Sequence, residues 1–341
     1  MLKSPRFWIG LLISAICLYL AFQGIQFDKL FDALAHMNYF LLLLAAIMWC
    51  VSYTGRVFRW HLLFSPQKVR LSKVFYALNI GYFLSNLLPA RLGDIVRAYL
   101  IGEFENVSKA RALSSVVVER LMDGLTVVLL LAITALFVPS IPDIARQGAG
   151  ILAVTGIVGI IVLVALSLNK ERGLAILHRL AAPIPLLQNP GLWKAVESLI
   201  DGFAILHSPR PIIGVVLWSL YTWVTGAVPF WLVMQAIGLR DGAGALLPFS
   251  AAVLVMTVTS LGVVIPSSPG YVGVFHAGAG LVITTIYNSD KSNALSYAVV
   301  IHALSYLMLT ALGIFSIWKE GLTYQRLQNI QTSSVTSEPS Q

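Results

Sequence analysis

The sequence predicts an all-α polytopic membrane protein, with about six full spans and two broken, re-entrant helical hairpins related as an inverted repeat. Three observations carry that prediction: a shortage of charge, a series of long apolar runs, and two such runs that each end in a proline followed four residues later by a glycine. Of 341 residues, 57% are apolar and 11% are charged, and the mean hydropathy is +0.81. Soluble domains carry about 25% charged residues. This chain has too few polar groups to cover a water-exposed surface, and lipid removes the need to cover one.

A span needs about 20 apolar residues at about 1.5 Å rise. Runs of that kind extend from Phe7 to Gln23, Tyr39 to Gly55, Gly148 to Leu168, Pro211 to Leu239 and Ser292 to Trp318. A sixth, from Leu125 to Val138, continues backwards in helical pattern through charged residues to about Lys109. The first run follows Lys3 and Arg6, as in a secretory signal, but no small-x-small cleavage site follows it, so an uncleaved first helix is expected. Cys17 and Cys50 fall inside spans, where a thiol behaves as a small apolar residue. No disulfide, zinc or haem spacing is present, and neither a metal nor a cofactor is expected.

Short cytoplasmic loops accumulate Lys and Arg, which orients the spans. Arg56, Arg59, Lys68, Arg70 and Lys73 lie in a stretch without an acid; Lys170, Arg172, Arg179, Lys194 and Arg210 mark a second basic loop, and Lys319 and Arg326 mark the tail. Of the 23 Lys and Arg, only Lys29, Arg146, Arg240 and Lys291 fall in the opposite linkers. The net charge of +8 therefore reads as an orientation signal, with no nucleic-acid partner implied. Both termini are expected in the cytoplasm and the chain in the cell inner (cytoplasmic) membrane. Residues 1–320 form the membrane-embedded domain, and residues 321–341 form a polar, disordered cytoplasmic tail. Between Lys170 and Arg210, Trp193, Val196, Leu199, Ile200 and Phe203 recur as an amphipathic surface helix.

Two apolar stretches remain, Val74 to Ala90 and Gly242 to Tyr287. The first has cytoplasmic charge on both sides and the second has external linkers on both sides, so each must enter and return. The first ends in Pro89 and Gly93, the second in Pro266 and Gly270, with Pro269 and Gly273 beside the latter pair. Proline removes a backbone donor and glycine lets the chain turn back. Unpaired backbone at membrane depth is tolerated only against protein or a watered cavity. Paired breaks that enter from opposite sides point to a transporter's substrate site near the midplane.

Charge gathers beside the first break. Arg91, Asp94 and Arg97 flank it, and Glu119, Arg120 and Asp123 share overlapping faces of the helix that begins near Lys109. Two readings are open: an interfacial salt-bridge set with snorkelling arginines, or an anion site in which Arg91, Arg97 and Arg120 offer planar forks to a phosphate and the carboxylates orient them. The second tip adds Ser267, Ser268 and His276 to the candidate substrate-binding set. A core or interfacial place is the ordinary role of His276 and of His302, and packing is the ordinary role of Trp218, Trp223 and Trp231.

The run Leu88-Pro89-Ala90-Arg91-Leu92-Gly93-Asp94-Ile95-Val96-Arg97, followed by Ala112 through Asp123, resembles the flippase-like domain of the lysylphosphatidylglycerol synthase membrane region. That family reads Pro-x-Arg-x-Gly-Glu-x-x-Arg at the first motif, so Asp94 stands for its Glu. The family's Pro-Gly-Gly-x-Gly-x-Phe-Glu is similar to Pro269 through His276, with Tyr271 in place of a Gly and His276 in place of the acid. The resemblance runs from about Phe7 to Trp318. It implies a flippase-like lipid transporter that moves a polar lipid or polyprenyl-phosphate-linked carrier with an anionic or phosphate head group between leaflets. The namesake aminoacyl transfer belongs to a separate soluble domain, and the 23 residues after Trp318 leave no room for it in this sequence, so synthase activity is not expected. The alternatives are an intramembrane enzyme with Asp94, Glu119 or Asp123 as general base, or a scaffold that presents lipid to a glycosyl- or aminoacyl-transferase partner.

Overall fold

The computed structural model describes residues 27–87, 92–183, 209–262 and 268–322, with part of 189–200 and positions 12, 16 and 19. The expected span from Phe7 to Gln23, the break residues Pro89 and Pro266, the candidates Arg91 and Ser267, Leu199 and Phe203 of the surface helix, and the tail after Leu322 lie outside the described residues. The rest forms an all-α polytopic membrane protein.

In chain order the helices are α1 (Phe27–Ala35), α2 (Tyr39–Leu62), α3 (Leu71–Leu87), α4 (Leu92–Glu105), α5 (Lys109–Phe137), α6 (Asp143–Leu168), α7 (Lys170–Ala181), α8 (Pro209–Ile237), α9 (Phe249–Gly262), α10 (Val274–Leu281) and α11 (Lys291–Lys319). A 3-10 turn (Pro269–Tyr271) precedes α10 and a π turn (Val282–Ile286) follows it. Side-chain caps fix four of the starts by occupying backbone N–H groups that have no partner inside the helix, and at α7 Asn169 Oδ1 accepts from Arg172. Asn38 Oδ1 accepts from Phe40 and Leu41, Ser108 Oγ from Arg111, and Asp290 Oδ1 from Ser292 and Asn293.

Among the described residues, Tyr39–Leu62, Asp143–Leu168, Pro211–Ile237, Pro269–Ile286 and Lys291–Lys319 are long and apolar enough to cross a membrane. Two departures from the sequence reading matter. First, α2 does not stop at Gly55 but runs to Leu62, so Arg56 and Arg59 are helix residues within the bundle rather than loop cations. The apolar run ends at Gly55, but the stripe of Tyr53, Val57 and Trp60 continues the buried face past it. Second, the stretch after Lys170 contains α7, which the loop reading did not separate from the Trp193 segment; His178 stacks on Trp193 with ring centroids 3.6 Å apart.

The two hairpins divide one long helix between them. α3 runs beside the C-terminal half of α11: Lys73 pairs with Glu320 at 2.6 Å, Asn79 Nδ2 donates to Ser316 Oγ at 2.9 Å, and Phe83 presses on Gly313. α10 and the π turn pack on the other half, with α1 and α8 beside them, and Ala294, Leu295, Tyr297, Ala298 and Ile301 are buried there. The hairpins meet between these halves. A Cβ on Gly270 would lie 3.6 Å from the Asn86 carbonyl oxygen, and His302, the twelfth residue of α11, hydrogen-bonds the Gly270 carbonyl at 2.8 Å.

The core follows the same division. One apolar cluster joins α3 and α4 to the C-terminal part of α2 and the N-terminal part of α5, through Trp60, Leu78, Ile80, Leu100 and Val118. The other joins α9, α10 and the π turn to α11 and the far ends of α2, α5 and α8, through Ala45, Ala135, Leu254, Ala279 and Tyr297. Small residues let α2 and α8 approach closely, as packing in lipid favours: a Cβ on Gly55 would lie 2.6 Å from Tyr221 Cδ1, and Ser52 Oγ donates to the Thr222 carbonyl at 2.9 Å.

Candidate functional site

The two arms of the first hairpin are held together by glycine. A Cβ on Gly93 would strike the Gly81 carbonyl oxygen and lie 2.5 Å from Ser85 Oγ, and one on Gly81 would lie 2.7 Å from Arg97 Cβ. This close approach sets α4 so that Asp94 and Arg97, one turn apart, face α5. On α5, Glu119 and Asp123 are buried on the inner face and Arg120 stands beside them. α2 supplies Arg59 from the other side.

These six side chains close a ring of alternating charge. Arg59 meets Glu119 at 2.9 Å, Glu119 meets Arg97 at 2.6 Å, Arg97 meets Asp94 at 3.1 Å, Asp94 meets Arg120 at 2.6 Å, Arg120 meets Asp123 at 3.5 Å, and Asp123 returns to Arg59 at 2.7 Å. Asp123 also accepts from Trp223 Nε1 at 3.0 Å, and Arg59 lies 3.3 Å from Ser219 Oγ, which ties α8 to the ring. Lone charge facing lipid is costly, and ionisable residues inside spans face the bundle and pair with one another. Here every carboxylate has two cationic neighbours.

Exposure grades across the ring. The side chains of Arg59, Arg97 and Glu119 are 0% exposed, those of Asp123 and Asp94 are 10% and 15%, and that of Arg120 is 28%. The ring therefore opens at Asp94 and Arg120. Its closed side keeps two buried donors without a hydrogen-bond partner, Arg59 Nε and Arg97 Nη2.

A fourth arginine stands just outside. Half-buried Arg56 reaches the Tyr82 hydroxyl at 3.4 Å and lies 5.8 Å from the Tyr82 ring centre and 5.7 Å from that of Trp223. Arg97 and Arg120 also approach the Tyr82 ring, at 5.4 and 5.6 Å, and Arg97 lies 4.8 Å from the Trp60 ring centre. Distances under about 6 Å allow each guanidinium to interact with the ring quadrupole. Arg56 is in no ion pair among the described residues. The ring balances three cations against three anions, so among the described residues Arg56 adds one unmatched positive charge.

On the other face of α2, the stripe Cys50, Tyr53, Thr54, Val57 and Phe58 borders an apolar cavity of about 520 Å³ shared with α3 and Leu312. Tyr53 forms the wall between this cavity and the charged site. Its hydroxyl donates to Asn79 Oδ1 at 2.5 Å, and its ring meets that of Tyr82 edge-on at 6.2 Å.

Of the residues the sequence singled out, Asp94, Arg97, Glu119, Arg120 and Asp123 come together in the ring, with the forks of Arg97 and Arg120 occupied by carboxylates. His276 and Ser268 lie elsewhere, at the second hairpin tip. There Gly270, Tyr271 and Gly273 have φ of 72°, 58° and 93°. Tyr271, which stands where the resembled motif has Gly, thus holds a conformation that costs a residue with a Cβ about 1–2 kcal/mol. The sequence reading missed Arg56, Arg59, Tyr82 and Trp223. The available signal was the i, i+3 pair Arg56 and Arg59 on the continuation of a buried helical stripe.

A family described as the lysylphosphatidylglycerol synthase TM region matches residues 7–313. The chain is 24% identical to a protein of Haloferax volcanii named glycosyltransferase AglD, over 90% of this chain but only 53% of that protein, so it spans about half of that relative's length. It is 29% identical to a UPF0104 membrane protein of Methanothermobacter thermautotrophicus, over 80% of this chain and 82% of the relative. A UPF0104 membrane protein of Pyrococcus horikoshii is 23% identical over 80% of this chain and 84% of its own length.

Proposed function

The chain belongs to the family of the lysylphosphatidylglycerol synthase transmembrane region, and from that premise we propose that it is a flippase-like transporter that moves a lipid with an anionic or phosphate head group between leaflets. The observation that carries this reading is the unmatched Arg56 beside a charge-balanced ring, two of whose members ride on a helical hairpin that stops partway through the bundle. A phosphate placed between Arg56 and Arg120 supplies the missing negative charge. It also competes with Asp94 for Arg120, which links head-group binding to the hairpin. The unpartnered donors of Arg59 and Arg97 offer further hydrogen bonds once the ring opens, and the apolar cavity behind Tyr53 suits a hydrocarbon chain. In this proposal the basic end of the bundle and both termini face the cytoplasm, the membrane is the inner membrane, and Arg91, Ser267 and Ser268 line the route at the tips.

A second reading is favoured by the name of one relative, a glycosyltransferase: the domain acts on, or presents, a lipid-linked sugar together with a transferase partner. In that case Glu119 or Asp123 would have to act as a base while bridged by arginine. One experiment separates the readings. Purified protein in liposomes containing fluorescent phosphatidylglycerol, or a polyprenyl phosphate, is assayed for leaflet movement, and the lipids are then recovered for mass spectrometry. Movement without covalent change supports transport; a chemically altered lipid, or no movement at any protein density, refutes it.

A further inference from the structure

We propose that His276, with His302, is a proton-binding site whose occupancy unfastens the second hairpin and thereby couples protons to lipid movement; the coupling rests on the transport reading above. The argument begins with a helix cap. Gly273 is the N-cap of α10 and His276 is its third residue, and the Gly273 N–H donates to His276 Nδ1 at 3.4 Å. In capping boxes this third position is held by Glu or Gln, whose side chain accepts from the N-cap N–H. The motif this segment resembles has an acid there. A carboxylate remains an acceptor at neutral pH, whereas an imidazole stops accepting once protonated.

The hydrogen bonds assign the tautomers. A backbone N–H only donates, so His276 Nδ1 carries no proton in this state and its single proton is on Nε2. A carbonyl only accepts, so His302 Nε2, 2.8 Å from the Gly270 oxygen, carries a proton. A proton arriving on His276 forms an Nδ1–H bond that faces the Gly273 N–H, and that hydrogen bond is lost. The rings are 5.0 Å apart, so an imidazolium at His276 also opposes charge on His302.

The surroundings isolate the pair. Phe275 packs on His302 at 4.7 Å and the Tyr306 ring lies at 6.4 Å. Among the described residues, Tyr306 and Tyr271 are the other titratable side chains at this tip. α9 presents Thr257 and Thr259, α8 presents Phe230, and α3 contributes Asn86; no third His, Cys, Asp or Glu groups with the two histidines among the described residues. Residues 263–267 contain no titratable side chain.

The turn is poised to respond, because Tyr271 holds a left-handed conformation that must be restrained by its surroundings. Gly270 in that turn touches Asn86 of the first hairpin, whose other arm carries Asp94 and Arg97. A proton at His276 therefore loosens the contact between the tips and, through the first hairpin, the charged ring.

Hydrogen–deuterium exchange of the full-length protein in nanodiscs, from pH 3.5 to 8 and corrected for intrinsic rates, reads the latch directly. Exchange in the peptide covering residues 268–281 is expected to rise about five- to tenfold as pH falls, the effect of losing one cap. His276→Gln keeps the acceptor without titrating and should give a flat profile, while His302→Gln should keep the step. If His276→Gln does not fold, His276→Glu preserves the same cap. A step that survives in the cap-preserving variant, or a flat wild type, overturns the proposal. In parallel, vesicles of phosphatidylcholine with fluorescent phosphatidylglycerol are assayed under a pH gradient, which should change the wild-type rate but not that of His276→Gln. If the exchange step appears and no lipid moves, the transport reading fails and the latch stands. If lipid moves and wild-type exchange is flat, the latch fails and the transport reading stands.

Discussion

Replacing Arg59 by methionine keeps the aliphatic stem and removes the guanidinium that closes the ring. Glu119 then retains Arg97 at 2.6 Å, while Asp123 loses its partner at 2.7 Å and is left with Trp223 Nε1 at 3.0 Å and Arg120 at 3.5 Å. Removing one partner of a buried pair costs about 3–5 kcal/mol. Because each carboxylate keeps one neighbour, the lower end applies: about 3 kcal/mol, or about 150-fold in the folding equilibrium. The comparison is Arg70→Met, since Arg70 pairs with Glu105 at 2.7 Å but its side chain is 66% exposed; such pairs contribute about 0.2–1 kcal/mol. Denaturant unfolding in micelles should rank Arg59→Met far below Arg70→Met. The double variant Arg59→Met/Asp123→Leu, which strands no charge of that pair, should recover about 1–3 kcal/mol relative to additivity. Equal effects of Arg59→Met and Arg70→Met would show that the ring contributes no more than a surface pair, and the reasoning would fail.

Gly93→Ala should destabilise by about 1–3 kcal/mol through overpacking and lower lipid transfer as well, because α3 and α4 cannot separate without displacing Asp94 and Arg97; a variant with wild-type melting and transfer contradicts the packing described. In a reconstituted binding assay with phosphatidylglycerol, Arg56→Gln and Arg120→Gln should each weaken affinity by about 10- to 150-fold, the value of a hydrogen bond to a charged group. Exposed Lys68→Ala should be nearly silent because solvent screens it, and parity among the three removes the site assignment. Single cysteines at Ala90 and Ser268, in a background without Cys17 and Cys50, should be labelled from opposite sides of the membrane in intact cells and inverted vesicles. Labelling from one side only sinks the inverted arrangement.

Four of the expected spans, those opening near Tyr39, Gly148, Pro211 and Ser292, were legible because lipid imposes them locally: an apolar run of the right length carries its own signal. Most of the ring was legible for a related reason. Asp94 and Arg97 sit one turn apart beside a break, and Glu119, Arg120 and Asp123 sit on one helix at depths where an unpaired charge is costly. Arg59 was not legible in the same way. Its partners are 60 and 64 residues away, and in sequence it looks like one more cation of a basic loop. Tyr82 and Trp223 were hidden too, since an aromatic residue in a membrane helix is ordinarily packing or an interface anchor. Only the fold shows Tyr82 with three guanidiniums near its ring.

That placement constrains the ligand. If all four arginines were paired, the site would be a structural lock and a head group would gain nothing by approaching. If the carboxylates were absent, any anion would bind and none would be released. In the proposed transport reading, three acids holding three arginines, with Arg56 left over among the described residues, favour a ligand that carries negative charge. A zwitterionic head group brings its own ammonium to the same place, close to Arg56 and Arg120, and loses the advantage. In the proposed transport reading, the charge arithmetic favours an anionic lipid over the zwitterionic bulk of a bilayer. The charged residues come from α2, α4 and α5, and of these three only α4 belongs to the first hairpin.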